Sequence, residues 1–394
     1  MAVMPRPSPA PASAGEVFAL IRDGAATTRS ELGRLTGLSR TAVAARVTAL
    51  QAHGLLVERE EGLSTGGRPP SALAFNAAAG VVLAAAIGRS RTQLAVCDLA
   101  GEVLAAEEVE QEVGIEPTQL MPVVARRLQE LLERSGPDND DVVGVGLSIP
   151  GTVDIVRGCS LDSPMMSGWD GIELAPYLAA ITSAPVRVDN DVNVMVVAKQ
   201  SGHRPRYADV LMIKASTGLG AAIVAGGVLQ RGALGAAGEI GHTKSAAAQG
   251  LVCRCGDVGC VEAVAGGWAL VRALQDRGRN VGHIRDVVQL ARSGDAEARR
   301  LIRDGGRHFG EVIAGVVNLL NPEALIIGGD MAQAEETFLA GLREAVYGNA
   351  VALATRKLEI VPATHGERSG IIGSAAMVLE HVLSVREVDR LLRG

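Results

Sequence analysis

Disulfide chemistry, membrane anchoring and a surplus of positive charge are all missing from this sequence. It holds five cysteines, and Cys97 and Cys159 stand alone, so no disulfide framework is laid out. Its apolar runs, such as Val81–Ile87, are far too short to span a bilayer. No cationic, apolar leader of the signal-peptide kind opens it. Together these absences predict a cytoplasmic protein with no membrane partner. The net charge is −6, so a nucleic-acid binder would have to gather its positive charge locally. Aromatics are few, with two Trp and four Phe against abundant Ala and Gly. That composition points to a GC-rich bacterial genome more than to a function. What is present suffices for a large core: 394 residues, 47% hydrophobic and 21% charged, which predicts two or three domains.

The other three cysteines lie close together. Between Glu239 and Glu262 the chain brings His242, Cys253, Cys255 and Cys260 into one short stretch, with glycines at 256 and 259 that let a loop turn its sulfurs inward. Zinc takes four tetrahedral ligands from thiolate and imidazole, and a closed set of this kind implies a structural ion. The same pattern admits a plainer reading, buried free thiols beside a satisfied core histidine. Glu239 and Glu262 flank the site. If the other four residues suffice as ligands, these two carboxylates are free to accept hydrogen bonds in a neighbouring pocket.

The first fifteen residues are rich in Pro, Ala and Ser and predict a disordered tail. A first helix is expected from 16 to 24. Ser30 would cap a second, from 31 to 36, and Ser39 a third, running to about 53. Val43, Val47 and Leu50 give the third helix a buried face. Three short helices with a tight turn before the last predict a helix-turn-helix, whose recognition helix would present Ser39, Arg40, Thr41, Ala44 and Thr48 to the major groove. Residues 54–57 and 73–75 read as wing strands around the tip 64–70, where Arg68 would lie on phosphates or a minor groove. Residues 16–60 contain six Arg and five acidic side chains, a weak electrostatic footprint. A small helical protein-interaction domain is the alternative for this region.

From residue 80 the pattern becomes mixed α/β. Strands are expected at 81–87, 92–97 and 102–108, a helix at 117–135 with Leu120, Val124, Leu128 and Leu131 as its stripe, and a buried strand at 142–149. A strand at 186–190 ends in Asp189-Asn190-Asp191. Such a triplet faces a crevice in α/β architecture, or else Asp191 simply caps the following helix. Residues 216–220 form a glycine turn between strands, able to cradle an anion through backbone N–H groups. Further helices are expected at 308–320 and 335–347, strands at 324–327 and 358–362, and a last helix at 370–382. Gly370, Gly373, Ala375 and Ala376 would let that last helix approach the first lobe closely.

The E-x-G-H and C-x-C-G-x2-G-C-x-E pattern resembles the signature of the ROK family (repressors, open reading frames, sugar kinases), and the resemblance covers nearly all of residues 16–384. It implies a winged helix-turn-helix over 16–78, including the GGRPP segment, followed by the two-lobed actin-like, ribonuclease-H-like sugar-kinase fold. The boundaries expected are lobe 1 at 79–190, lobe 2 with the zinc site at 191–369, and a C-terminal helix returning to lobe 1 at 370–394. By the resemblance, Asn190, Asp191, Glu239, His242 and Glu262 bind a sugar, and Asp191 occupies the general-base position of the kinases. The family's first phosphate loop, D-x-G-G-T, corresponds to Ala86, Ile87, Gly88, Arg89 and Ser90. The Asp that positions the nucleotide's metal is an Ala here, and Arg89 replaces a Gly. A methyl group cannot hold a hydrated magnesium ion, and phosphoryl transfer depends on that positioning. Met165 stands where the family has a sugar-contacting Asn.

These features predict a DNA-binding transcriptional regulator of carbohydrate-related genes, a repressor, with a structural Zn(2+), no ATP or Mg(2+), and no catalytic residue in use. Its partners would be a near-palindromic double-stranded operator, a sugar or sugar-derivative effector, and a second copy of the chain in a homodimer or dimer of dimers. The alternatives are an active sugar kinase with an attached DNA-binding module, and a scaffold with an empty sensor.

Overall fold

A computed structural model describes residues 12–60, 71–112, 114–161, 168–200, 206–334 and 336–393. Of the tail expected at 1–15, residues 1–11 lie outside the described residues, as do the wing tip with Arg68 and Met165; Ala14 and Gly15 belong to the first helix instead. Helix α1 (Ala14–Arg22) begins two residues earlier than expected, because Ser13 and Glu16 close a capping box: Ser13 N donates to Glu16 Oε2 (2.6 Å) and Glu16 N to Ser13 Oγ (3.2 Å). Helix α2 (Arg29–Thr36) is capped by Thr28 and not by Ser30, which falls inside the first turn. Glu31 reaches back to the N–H groups of Thr27 (2.8 Å) and Thr28 (3.0 Å), and these bonds hold its carboxyl below its ordinary value. Gly37, at φ 71°, makes the left-handed turn into α3 (Arg40–Ala52), whose first turn Ser39 caps through Ala42 N (3.2 Å). Strands β1 (Leu56–Glu60) and β2 (Ser71–Phe75) pair antiparallel as the wing.

Two sheets of like topology follow. In the first lobe β3 (Val81–Ile87), β4 (Arg91–Asp98) and β5 (Val103–Glu110) form an antiparallel meander. Helix α4 (Pro117–Ser135) then leads to β6 (Val142–Ile149), a hairpin of β7 (Val153–Asp154) and β8 (Cys159–Ser160), and β9 (Val186–Asn190). The order is β5-β4-β3-β6-β9, with β6 and β9 parallel to β3. Helix α5 (Asp191–Gln200) crosses to the second lobe. There β10 (Val210–Ala215), β11 (Leu219–Ala225) and β12 (Val228–Gln230) repeat the meander. Helices α6 (Glu262–Ala265), α7 (Gly267–Gln275), α8 (Ile284–Arg292) and α9 (Ala296–Leu320) lead to β13 (Ala324–Gly328). After α10 (Glu336–Asn349) and α11 (Ala352–Thr355), β14 (Glu359–Pro362) completes the order β12-β11-β10-β13-β14. The parallel strands carry near-continuous apolar runs because helices cover both faces.

Helix α12 (Ser369–Val382) returns to the first lobe. A side chain at Gly146 would lie 1.9 Å from Ser374 O, and one at Gly373 would lie 1.8 Å from Val194 O, so helix and sheet meet backbone to backbone. A further helix, α13 (Val385–Leu391), was not anticipated as a separate element. It packs on α1: Gly15 N donates to Asp389 Oδ1 (2.7 Å), and Arg22 Nη1 to Leu383 O (3.0 Å). One apolar cluster therefore joins Val17, Phe18 and Leu50 of the helical head to Val82 and Ala84 of the first sheet and to Val378 and Leu379 of α12. No helix among the described residues is long and apolar enough to cross a membrane.

Candidate functional site

The carboxyl ends of the parallel strands in both sheets open onto one interlobe cleft of about 350 Å³. Asp191, Glu239, His242 and Glu262 line it at one end, and Ala86, Gly88, Arg89 and Ser90 line it along the first-lobe wall. The glycine turn 216–220 lies opposite.

Asn190 does not line this cleft. Its Nδ2 donates to Gly151 O (2.9 Å), and its Oδ1 accepts from Val192 N (2.8 Å) and Asn193 N (3.2 Å). It caps α5, the role that the residue pattern allowed for Asp191, and Asp191 is thereby turned to the cleft. There Asp191 Oδ2 accepts from Lys214 Nζ at 2.5 Å, an ion pair between α5 and β10. Lys214 escaped sequence reading, although a charged residue closing an otherwise apolar strand beside a glycine turn was a usable signal.

Glu262 is 4% exposed, and both of its oxygens have protein donors. Oε2 accepts from Leu219 N (2.8 Å), and Oε1 from the Trp268 indole (3.0 Å). It therefore braces the glycine turn from the side of the cysteine loop while still bordering the cleft. Glu239 is freer. Its Oε1 is 3.5 Å from Thr152 Oγ1, and burial in the cleft raises its carboxyl against the pull of His242.

His242 faces two ways. Nδ1 lies 3.7 Å from Cys253 Sγ, and Nε2 lies 3.9 Å from Glu239 Oε2 on the cleft side. Cys255 Sγ and Cys260 Sγ are 3.8 Å apart, and one ligand atom from each of the four residues lies within 4.8 Å of the others. The cluster can thus hold a metal ion. Burial pushes the Cys253 thiol up to about 12, and a bound cation is what returns such a group to a thiolate. Lys244 Nζ, 3.3 Å from Cys260 Sγ, adds positive charge beside the sulfurs.

An interlobe pair was also not foreseen. Arg231, just after β12, places Nε (2.9 Å) and Nη2 (2.7 Å) on Oδ2 of Asp189 at the end of β9. The Asp189 side chain is 2% exposed, and its Oδ1 accepts from Asn190 N and Asn193 Nδ2, each at 2.7 Å. At the far end of the cleft the lobes meet more loosely, through Arg91 with Glu367 (3.7 Å) and Asp330 (4.0 Å). Trp169 is a core residue, 1% exposed, with its indole donating to Ile115 O (2.9 Å).

On the head, Ser39, Arg40, Thr41, Ala44 and Thr48 are all exposed, on the side of α3 away from Val43, Val47 and Leu50. No side chain of the cleft is shared with that surface.

Comparison with known proteins fits this layout. The model of the ROK family matches residues 82–381. The xylose repressor of Caldicellulosiruptor bescii is 28% identical over 385 residues, spanning 94% of this chain and 96% of that protein. The crystal structure of a ROK family transcriptional regulator, a homologue of the E. coli Mlc protein, superposes with a TM-score of 0.80 at 26% identity, covering 97% of this chain and 98% of that one. A ROK family glucokinase from Streptomyces griseus, solved with glucose and AMPPNP, superposes with a TM-score of 0.64 at 27% identity. It covers 76% of this chain and 99% of its own.

Proposed function

The chain belongs to the ROK family, and we propose that it is a DNA-binding transcriptional regulator, a repressor of carbohydrate-related genes, whose kinase-like domain senses a sugar and does not phosphorylate it. The observation that carries this reading is the junction: an α3 with Arg40, Thr41, Ala44 and Thr48 exposed stands on the same apolar core as the sheet of a two-lobed sugar-kinase-like fold. Whole-length similarity to a xylose repressor and to an Mlc homologue supports it, as the similarity to a glucokinase stops at about three quarters of the chain, 76%.

Sugar recognition falls to Asp191, Glu239 and His242 Nε2, a convergent set of hydroxyl partners. Phosphoryl transfer lacks two supports. Ala86 offers no carboxylate to a magnesium ion, and Lys214 already occupies the Asp191 oxygen that would take the hydroxyl proton. The metal of the His/Cys cluster is zinc on this reading, held by His242 Nδ1, Cys253, Cys255 and Cys260. The sulfur separation of 3.8 Å matches the edge, about 3.8 Å, of a tetrahedron with 2.3 Å Zn–S bonds. Zinc there fixes the loop that carries Glu239 and Glu262, and the thiolate set suits a cytoplasmic setting. Leu319, Val351 and Leu353, 82%, 59% and 71% exposed around the ends of α9 and α11, support self-association into a dimer reading a near-palindromic operator.

A mobility-shift assay on the DNA upstream of the gene, with and without a sugar panel, tests the reading, run beside a phosphotransfer assay with ATP and magnesium. Sugar should release the operator without turnover. Asp191→Ala should keep operator binding and lose most of the sugar response, by a factor of about 5–150 in sugar affinity. Turnover at an ordinary enzymatic rate would replace this reading by an active kinase. No sugar response at all would replace it by a scaffold.

A further inference from the structure

Beside the interlobe cleft, on the second lobe, lies a separate cavity of about 440 Å³. Helix α7 supplies one wall, because Trp268, Val271, Arg272 and Gln275 recur at i, i+3, i+4 and i+7 and so share a face. Arg254 of the cysteine loop closes one side, with its guanidinium over the Trp268 ring at 4.8 Å. His283 and Ile284, where α8 begins, close another.

The charge in this cavity is one-sided. The chain has 44 acidic side chains against 38 Lys and Arg, yet two arginines and no carboxylate line the cavity. Neither the Arg254 nor the Arg272 guanidinium has a hydrogen-bond or ion-pair partner among the described residues. Arg277 and Arg279, which follow α7, are by contrast paired with Glu297 (3.1 Å) and Asp295 (2.7 Å). Asp286, the acid in the first turn of α8, is spent on Gly282 N (2.8 Å) and His283 N (2.9 Å). A guanidinium stacked on an aromatic face keeps its in-plane N–H donors for an oxyanion. Val271 and Ile284 add apolar wall, and a few hundred cubic ångströms of partly apolar space with a few placed polar groups is the usual form of a small-molecule site.

The cavity also shares a wall with the cleft, since Thr217 and His283 line both. His283 Nδ1 accepts from Arg285 N (3.2 Å), so the neutral ring carries its proton on Nε2, 3.3 Å from Thr217 Oγ1. On the other side, the Trp268 indole holds Glu262, which borders the cleft. An occupant of the cavity thus touches residues that shape the cleft.

We infer that this cavity is a second ligand site, for a small molecule with at least two oxyanion groups, a diphosphate or a di- or tricarboxylate, held by Arg254 and Arg272. It does not depend on the sugar-sensing reading, because Asp191, Glu239 and His242 do not line it. Two guanidiniums without counter-charges call for two negative charges, and the fork suits phosphate and carboxylate alike.

The test titrates the full-length protein with pyrophosphate and with citrate, against sodium chloride at matched ionic strength. Either anion should change Trp268 emission saturably in a W169F background and raise the melting temperature of the unmodified chain, and chloride should do neither. The two arms separate a phosphate-type from a carboxylate-type ligand; saturation in either supports the site. Arg272→Gln, at an exposed position of α7, should weaken the tighter anion by about 10-fold or more with an unchanged circular dichroism spectrum. Arg272→Lys, which keeps the charge and loses the fork, should weaken it less. Arg254→Gln should act like Arg272→Gln; should it disturb the cysteine loop, the Arg272 variants decide alone. No saturable response to either anion, or an affinity unchanged in Arg272→Gln, overturns the assignment.

Discussion

Arg231→Gln should destabilise the protein more than the paired substitution Asp189→Asn/Arg231→Gln. Asp189 is the buried partner, 2% exposed, whereas the Arg231 side chain is 32% exposed. Removing one member of a buried pair typically costs about 3–5 kcal/mol, because a charge is left without compensation. Here water can reach the vacated side, and Oδ1 keeps its donors from Asn190 and Asn193. The low end applies, about 2–3 kcal/mol, or a melting temperature lower by roughly 5–10 °C. In the double variant no charge remains to be orphaned. The amide oxygen that Asp189→Asn introduces can still accept the same two donors, and the amide nitrogen can donate to the new glutamine. The double variant's loss should be smaller, near about 1 kcal/mol, the net value of an ordinary hydrogen bond. Calorimetric melting of the three variants reads the order. Trp169 in the first-lobe core and Trp268 beside the cysteine loop report each lobe separately by fluorescence in W169F and W268F backgrounds. A double variant less stable than Arg231→Gln alone would refute the reasoning.

Metal analysis of the purified protein should give about one zinc per chain, and Cys255→Ser or chelation should change Trp268 fluorescence before it changes operator binding; folded, ligand-competent protein without metal would refute this. Arg40→Ala, at the start of α3, should weaken binding to the operator more than to a scrambled duplex at one fixed salt concentration, whereas Arg68→Ala should weaken both alike; equal affinity of wild type and the Arg40 variant would refute the placement. Glu31 has a depressed folded-state carboxyl, so its contribution to stability is present above the ordinary carboxylate value of 4.5 and is lost as pH falls below it. The gap in melting temperature between wild type and Glu31→Gln should therefore be full at about pH 6 and shrink towards about pH 3.5. A gap that does not change with pH would remove the capping role.

Much of this was legible in the sequence because it rests on local chemistry. Thiol spacing brings the four metal-ligand candidates together, and glycine and proline punctuation marks the turns. Alternation and apolar runs mark the strands of both lobes. Capping was less legible, since Thr28 and Ser30 are both competent caps and only the reach of Glu31 decides between them. Side-chain direction was less legible still. Asn190 and Asp191 are adjacent polar residues at a strand end, yet one is spent on the α5 N-terminus and the other faces the cleft. Interlobe pairs such as Asp189 with Arg231 join residues 42 apart in sequence, and no local pattern announces them. The same holds for α13, whose docking on α1 links the two ends of the described chain.

That docking bears on how a cleft could govern a DNA-binding head. Helix α12 begins at the cleft, where Ser369 and Gly370 are lining residues. Its middle is seated backbone to backbone on β6 and α5, through Gly146 and Gly373. Its far end, with Val378 and Leu379, is in the core that holds Phe18 and Leu50. Contacts made by backbone atoms cannot be relaxed by a change of rotamer, so a shift of α5 or β6 must move α12 as a body. On the proposed sugar-sensing reading, closure of the lobes on a ligand would displace α5, which carries Asp191, and the packing gives that displacement a path to α1 through α12 and α13. Ligand binding alone is insufficient. A hundredfold loss of operator affinity requires about 2.8 kcal/mol of difference in ligand affinity between the two settings of α12. Contacts made equally in both settings contribute nothing to that difference. Pairs whose partners lie on opposite lobes are positioned to supply it, among them Asp189 with Arg231 and Arg91 with Glu367, because such pairs change separation when the cleft closes.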